Sequence, residues 1–142
     1  MFLRLFRQGS YHLSSIQRPA SPCNMQQPLG TEQGLKVLPK IMSDPQQTSV
    51  RFMAIIFGSN DACFPDAENG EHVLLDRYKK NLVKLFTHPA LEAHNPRLLL
   101  VIPPLIEERR LDHRVKSRGY LKLNRSNVVT EQYADTCGEI AK

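Results

Sequence analysis

Two short runs made wholly of apolar residues, Met53 to Phe57 and Leu98 to Ile102, flank a stretch whose apolar side chains recur at helical spacing. Runs of about four to eight such residues read as strands covered on both faces, the habit of parallel sheets. Between them Leu75, Tyr78, Leu82, Leu85 and Phe86 line one side of a helix, with Asp76 and Lys80 at i, i+4 on the other. A strand, a crossover helix and a second strand imply a right-handed parallel βαβ unit. His88-Pro89 closes the helix and Pro103-Pro104 closes the second strand.

The flanks extend this order. Leu35, Leu38, Ile41 and Met42 recur at helical spacing, with Pro39 at a kink or near an end and Ser43-Asp44-Pro45 behind them. Residues 127 to 141 form a final amphipathic helix using Val128, Tyr133, Ala134, Cys137 and Ile140, and residues 59 to 72 form a loop. The order α, β, α, β, α places the chain in the α/β class, with parallel strands in a three-layer arrangement. Two parallel strands leave an edge open, and three or more are normally needed for a self-sufficient sheet. The chain therefore reads as the middle of a larger domain, and its strand edge is a place where another chain could add.

Composition narrows the class further. A length of 142 residues, 41% hydrophobic and 23% charged, suits one globular domain. The apolar runs are far short of the roughly 18 to 20 residues of a membrane span. Cys23, Cys63 and Cys137 contain no Cys-x-x-Cys pair, so neither a disulfide framework nor a zinc site is expected, and a reducing compartment fits. No metal or organic cofactor is signalled. The net charge of +5 does not point to nucleic acid, because beyond residue 31 the chain holds 16 basic and 14 acidic side chains. Lys79, Lys80 and Lys84, and Arg109-Arg110 behind Glu107-Glu108, read as solvated faces.

The first acidic residue is Glu32, and residues 1 to 31 carry Arg4, Arg7 and Arg18 unopposed. Met1 to Pro22 is rich in Arg and Ser and sets Phe2, Leu5, Phe6 and Leu13 at roughly helical spacing, the pattern of a mitochondrial presequence. A disordered basic extension, or translation from a misplaced start, accounts for the same composition. Pro19, Pro22, Pro28, Gln26-Gln27 and Gly30 disfavour packed structure over residues 19 to 34. Residues 1 to 31 are accordingly set apart from a domain over residues 32 to 142, with a cytoplasmic location as the default and a mitochondrial one as the alternative.

Chemistry concentrates at Gly58-Ser59-Asn60-Asp61, where the first apolar strand stops. Open α/β sheets place ligand crevices at the carboxyl ends of their strands. An amide fixed there can donate to an oxyanion, which makes Asn60 the candidate donor. Gly58 would permit the sharp turn, and Asp61 could hold the turn through backbone hydrogen bonds. As an isolated tetrapeptide the same residues are those of an ordinary turn.

Gly58-Ser59-Asn60-Asp61-Ala62, followed by His72-Val73, Leu75, Tyr78, Asn81-Leu82, the Leu98 to Pro104 strand and Tyr133-Ala134-Asp135, resembles the SGNH (GDSL-type) hydrolases. The branch it is most similar to is that of the isoamyl acetate-hydrolysing esterases, over about residues 34 to 142. The resemblance implies a flavodoxin-like sheet with helices on both faces and a site for small esters at the strand ends. It also implies a serine nucleophile in a Gly-Asp-Ser motif, a base and its orienting acid in an Asp-x-x-His motif, and an oxyanion donor matching Asn60. His72 matches the family and would anchor its loop near the site.

Neither catalytic motif occurs in the 142 residues. Ser59 lacks both the family motif and a Gly-x-Ser-x-Gly elbow, and reads as a turn hydroxyl. The residues three before His12, His72, His88, His94 and His113 are Gly9, Asn69, Leu85, Leu91 and Arg110, so no base motif exists. Asp112-His113 reads as a surface loop. The expectation is part of an ester hydrolase, truncated and inert as written. A non-catalytic binding module and an unrelated small basic protein are the alternatives.

Overall fold

The computed structural model describes residues 29–67 and 71–141; the presequence-like arm falls outside them up to residue 28. Seven elements follow in order: α1 (Thr31–Ile41), β1 (Phe52–Ile56), α2 (Leu75–Phe86), α3 (Pro89–Glu92), β2 (Arg97–Val101), α4 (Glu108–Ser117) and α5 (Asn127–Ile140). The strands are parallel and in register from Phe52 opposite Arg97 to Ile56 opposite Val101, so the βαβ pairing read from the two apolar runs is present. The chain is an α/β protein with a parallel sheet.

Alternation along the strands divides the sheet into unequal faces. Met53, Phe57 and Leu100 pack against a core of Leu38 from α1, Tyr78, Leu82 and Leu85 from α2, and Tyr133 and Cys137 from α5. Ile55, on the same side, is buried. On the opposite side Phe52 and Ile56 are 59% and 58% exposed and Leu99 is 48% exposed. The strands are thus covered on one face where the apolar runs predict cover on both. Composition sets a strand's capacity for burial, but which faces are buried depends on the layers beside it.

Other departures are local. Helix α1 begins at Thr31 rather than near Leu35, and Pro39 lies in its last turn, where its missing N–H leaves the Leu35 carbonyl without its helical donor close to the helix end. Thr31 is fully buried, so the fold reaches back to the last residues assigned to the extension. In α5, Val128 is 70% exposed and Val129 joins the core instead, four residues ahead of Tyr133 on the same helical face. Asp112-His113 belongs to α4, not to a loop, and Asp112 accepts from Lys116 one turn on at 2.8 Å. The cap of α4 is Glu107, whose carboxylate accepts the amides of Arg109 and Arg110, so Glu107 is a helix start as well as a solvated charge. On α2 the ion pairs run from Arg77 to Glu32 and from Lys79 to Glu139, where spacing predicts Asp76 with Lys80.

Candidate active site

Strand β1 ends one residue before a tight turn. Gly58 has φ of +114°, a conformation that strains side chains bearing a Cβ, and an added Cβ would meet the Tyr78 hydroxyl at 2.8 Å and Pro103 Cγ at 2.9 Å. The turn closes through Ala62 N–H to Gly58 C=O at 2.9 Å and Cys63 N–H to Asn60 C=O at 3.1 Å. Asn60 emerges half-buried, and its Nδ2 donates to the Leu29 carbonyl at 3.1 Å. One N–H of the amide is committed to Leu29, which among the described residues leaves the other open to an incoming acceptor.

Asp61 lies beneath the turn with none of its surface exposed. Its Oδ1 accepts the Thr31 backbone N–H at 2.8 Å and the Thr31 hydroxyl at 2.5 Å, and its Oδ2 accepts the Gly58 N–H at 3.2 Å. The carboxylate thereby supplies an acceptor to the first turn of α1, whose amides have no partner within their own helix, and to the glycine of the turn. Asn81 of α2 completes the set by donating to the Thr31 hydroxyl at 3.1 Å. Gly58 and Asp61 thus belong to one hydrogen-bonded unit that carries Asn60.

Further clamps reach the turn from outside it. Tyr78 Oη donates to the Phe57 carbonyl at 3.3 Å, Val73 N–H to the Asp61 carbonyl at 3.1 Å, and the Arg125 guanidinium to the Ser59 carbonyl. His72 donates from Nδ1 to the Cys63 carbonyl at 2.6 Å, which places its proton on Nδ1; its Nε2 is buried with no partner among the described residues. Burial pushes the Glu71 carboxyl up from its ordinary value, opposed by a hydrogen bond from Cys63 and by the charge of Arg125. Among the described residues no cluster of three or more His, Cys, Asp and Glu could hold a metal ion.

The structure brings Gly58, Asn60, Asp61 and His72 together and leaves Asp112 half-buried and His113 exposed on α4. Sequence reasoning missed Thr31, Asn81 and Arg125. Asn81 carried a signal, since a polar residue on the otherwise apolar face of α2 needs a partner.

Three relatives bear on this turn. The isoamyl acetate-hydrolyzing esterase 1 homolog of Mus musculus is 30% identical over 108 residues, 75% of this chain and 43% of that protein. The Homo sapiens homolog of the same name is 24% identical over 143 residues, 96% of this chain and 57% of that protein. A GDSL esterase/lipase of Arabidopsis thaliana is 30% identical over 117 residues, 79% of this chain and 48% of that protein. The chain is a relative of the SGNH (GDSL-type) hydrolases. No protein-family model matches it. It spans less than two thirds of each of these SGNH relatives, and the parallel βαβ core around Gly58 to Asp61 is an α/β segment of the SGNH kind. Among the described residues no helix is long and apolar enough to cross a membrane.

Proposed function

We propose that residues 32 to 142 carry the oxyanion-donor segment of a GDSL-type ester hydrolase, with Asn60 as the donor, Gly58 and Asp61 as its support and small esters as the substrate class of the complete enzyme. The observation that carries this is the Asn60 amide, held by Leu29 at the carboxyl end of a parallel strand with one N–H uncommitted. A donor of this kind is worth about 10² to 10³ in turnover when a nucleophile is present to create the oxyanion. The 142 residues contain neither a Gly-Asp-Ser nor an Asp-x-x-His motif. The chain as written is therefore inert, and a short-chain p-nitrophenyl ester turns over no faster with it than in buffer.

The donor role is tested by replacing the matched stretch of the mouse relative with residues 29 to 141 of this chain and following isoamyl acetate hydrolysis. In that chimera Asn60→Ala lowers turnover about 10² to 10³-fold. Turnover within about twofold of the unsubstituted chimera removes Asn60 from the reaction.

A second reading is favoured by the bare sheet face, where Phe52, Ile56 and Leu99 are exposed beside an edge that pairs with no strand among those described. In it the chain serves as a non-catalytic module to which another chain adds a strand. Co-purification as a cooperatively melting complex, lost on Ile56→Lys, supports that reading, and a monomer that melts alone with the same midpoint opposes it.

A further inference from the structure

The carbonyls of the turn are held from several directions, and one holder is charged. Phe57 C=O is held by Tyr78, Gly58 C=O by Ala62, Asn60 C=O by Cys63, Asp61 C=O by Val73 and Cys63 C=O by His72. Ser59 C=O, immediately before the candidate donor, is held by the Arg125 guanidinium, which arrives from 66 residues away. Arg125 lies between α4 and α5, in a connection fixed on both sides. Asn124 C=O accepts the Phe64 N–H at 2.7 Å, and Ser126 caps α5 by accepting the Val129 N–H at 3.4 Å. The connection therefore grips the turn at both its ends, at Ser59 and at Phe64.

A peptide plane rotates as a unit, so fixing the Ser59 carbonyl fixes the Asn60 N–H on the same plane and with it the direction in which the Asn60 side chain leaves the backbone. A guanidinium suits the task because its donors are set in a rigid planar fork and its bond to a carbonyl is charge-assisted. We propose that Arg125 is the positioning residue of Asn60, holding the peptide that aims the amide and linking its orientation to the α4–α5 connection. This rests on the proposed role of Asn60, but its test reads the turn itself and not the chemistry.

Hydrogen exchange by mass spectrometry on the full chain separates the two. In the unmodified protein a peptide spanning residues 57 to 64 is protected at the Ala62, Cys63 and Phe64 amides. Arg125→Met raises exchange in that peptide about tenfold or more, the factor matching one charge-assisted hydrogen bond, while peptides from α2 keep their rates. Arg125→Lys, which keeps a charged donor, restores part of the protection. Unchanged exchange in the 57 to 64 peptide on Arg125→Met overturns the proposal. Equal loss across α2 and the turn also overturns it, since Arg125 would then serve general folding. Should Arg125→Met fail to fold, the unmodified chain decides: distinct, slowly exchanging guanidinium N–H signals coupled to the Ser59 carbonyl uphold the clamp, and a freely averaging guanidinium ends it. Turnover retained by the Asn60→Ala chimera alongside a protected, Arg125-dependent turn would refute the donor role and leave the clamp standing.

Discussion

The Thr31 hydroxyl donates to the Asp61 carboxylate at 2.5 Å, joining the first residue of α1 to the turn that carries Asn60. Both residues have no exposed surface, so neither water nor another side chain can substitute when one is removed. Asp61→Ala strands three donors, the two of Thr31 and the Gly58 amide, and is expected to cost about 3 kcal/mol or more. Thr31→Val keeps the volume, the backbone donor and the apolar packing, and costs about 1 to 2 kcal/mol. Urea titration of both single variants and the double variant should give a coupling of about 0.5 to 3 kcal/mol, as residues sharing a network do. Strict additivity would mean that Asp61 acts through the backbone amides of Thr31 and Gly58 and not through the Thr31 hydroxyl.

Asn60→Ala should behave differently. Its amide holds one carbonyl, Leu29, at the exposed end of the site, so the change costs about 1 kcal/mol or less in the same titration. A loss as large as that of Asp61→Ala would identify Asn60 as a structural residue rather than a donor held ready.

Gly58→Ala combines a strained conformation with a collision against the Tyr78 hydroxyl and Pro103. The expected loss is about 2 to 3 kcal/mol, with the Tyr78 to Phe57 hydrogen bond displaced. A thermal melt within a degree of the unsubstituted chain would show that the turn relaxes without cost.

Alkaline pH should unfold the protein through its buried phenols. Burial, with Asp61 adding a smaller contribution, pushes Tyr133 up to about 12, and burial likewise raises Tyr78. Above pH 10.0, their ordinary value, the unfolded chain loses protons that the folded chain keeps. Stability therefore falls from about pH 10 and continues to fall to about 12. Phenolate absorbance and circular dichroism should change together in that window. Tyr133→Phe forfeits the 2.5 Å bond to the Val73 carbonyl yet flattens the decline, and an unaltered slope would place the alkaline transition elsewhere.

The bare sheet face should govern self-association. Phe52→Lys with Ile56→Lys alters side chains that are already exposed, so stability should change by about 0.5 kcal/mol or less while sedimentation shifts toward the monomer. Unchanged sedimentation would assign any association to another surface.

Much of the architecture was legible in the chain. Apolar runs announced both strands, and the spacing of Tyr78, Leu82 and Leu85 announced the face of α2 that meets the core. Gly58 and Asn60 were legible as a turn leaving a strand. The cap of α4 was legible too, since Glu107 stands just ahead of the helix, but the charge pattern around it masked the signal. Cover on both sheet faces was the failed expectation, because an apolar strand looks the same in sequence whether its second layer is beside it or not.

What the sequence by itself determined is the β-α-β order between α1 and α5, without α3 and α4, the parallel pairing and the polar turn at the end of β1, all encoded in periodicities and breaks spanning a few residues. Tertiary structure alone decided that Asp61 serves Thr31 from 30 residues away, that Asn81 reaches Thr31 across 50 and that Arg125 reaches Ser59 across 66. Such contacts leave no local period, since the partners meet through the packing of α1, α2 and the α4–α5 connection around β1. The strong tendency of buried polar groups to find partners selects them, and that tendency acts only once the chain has folded.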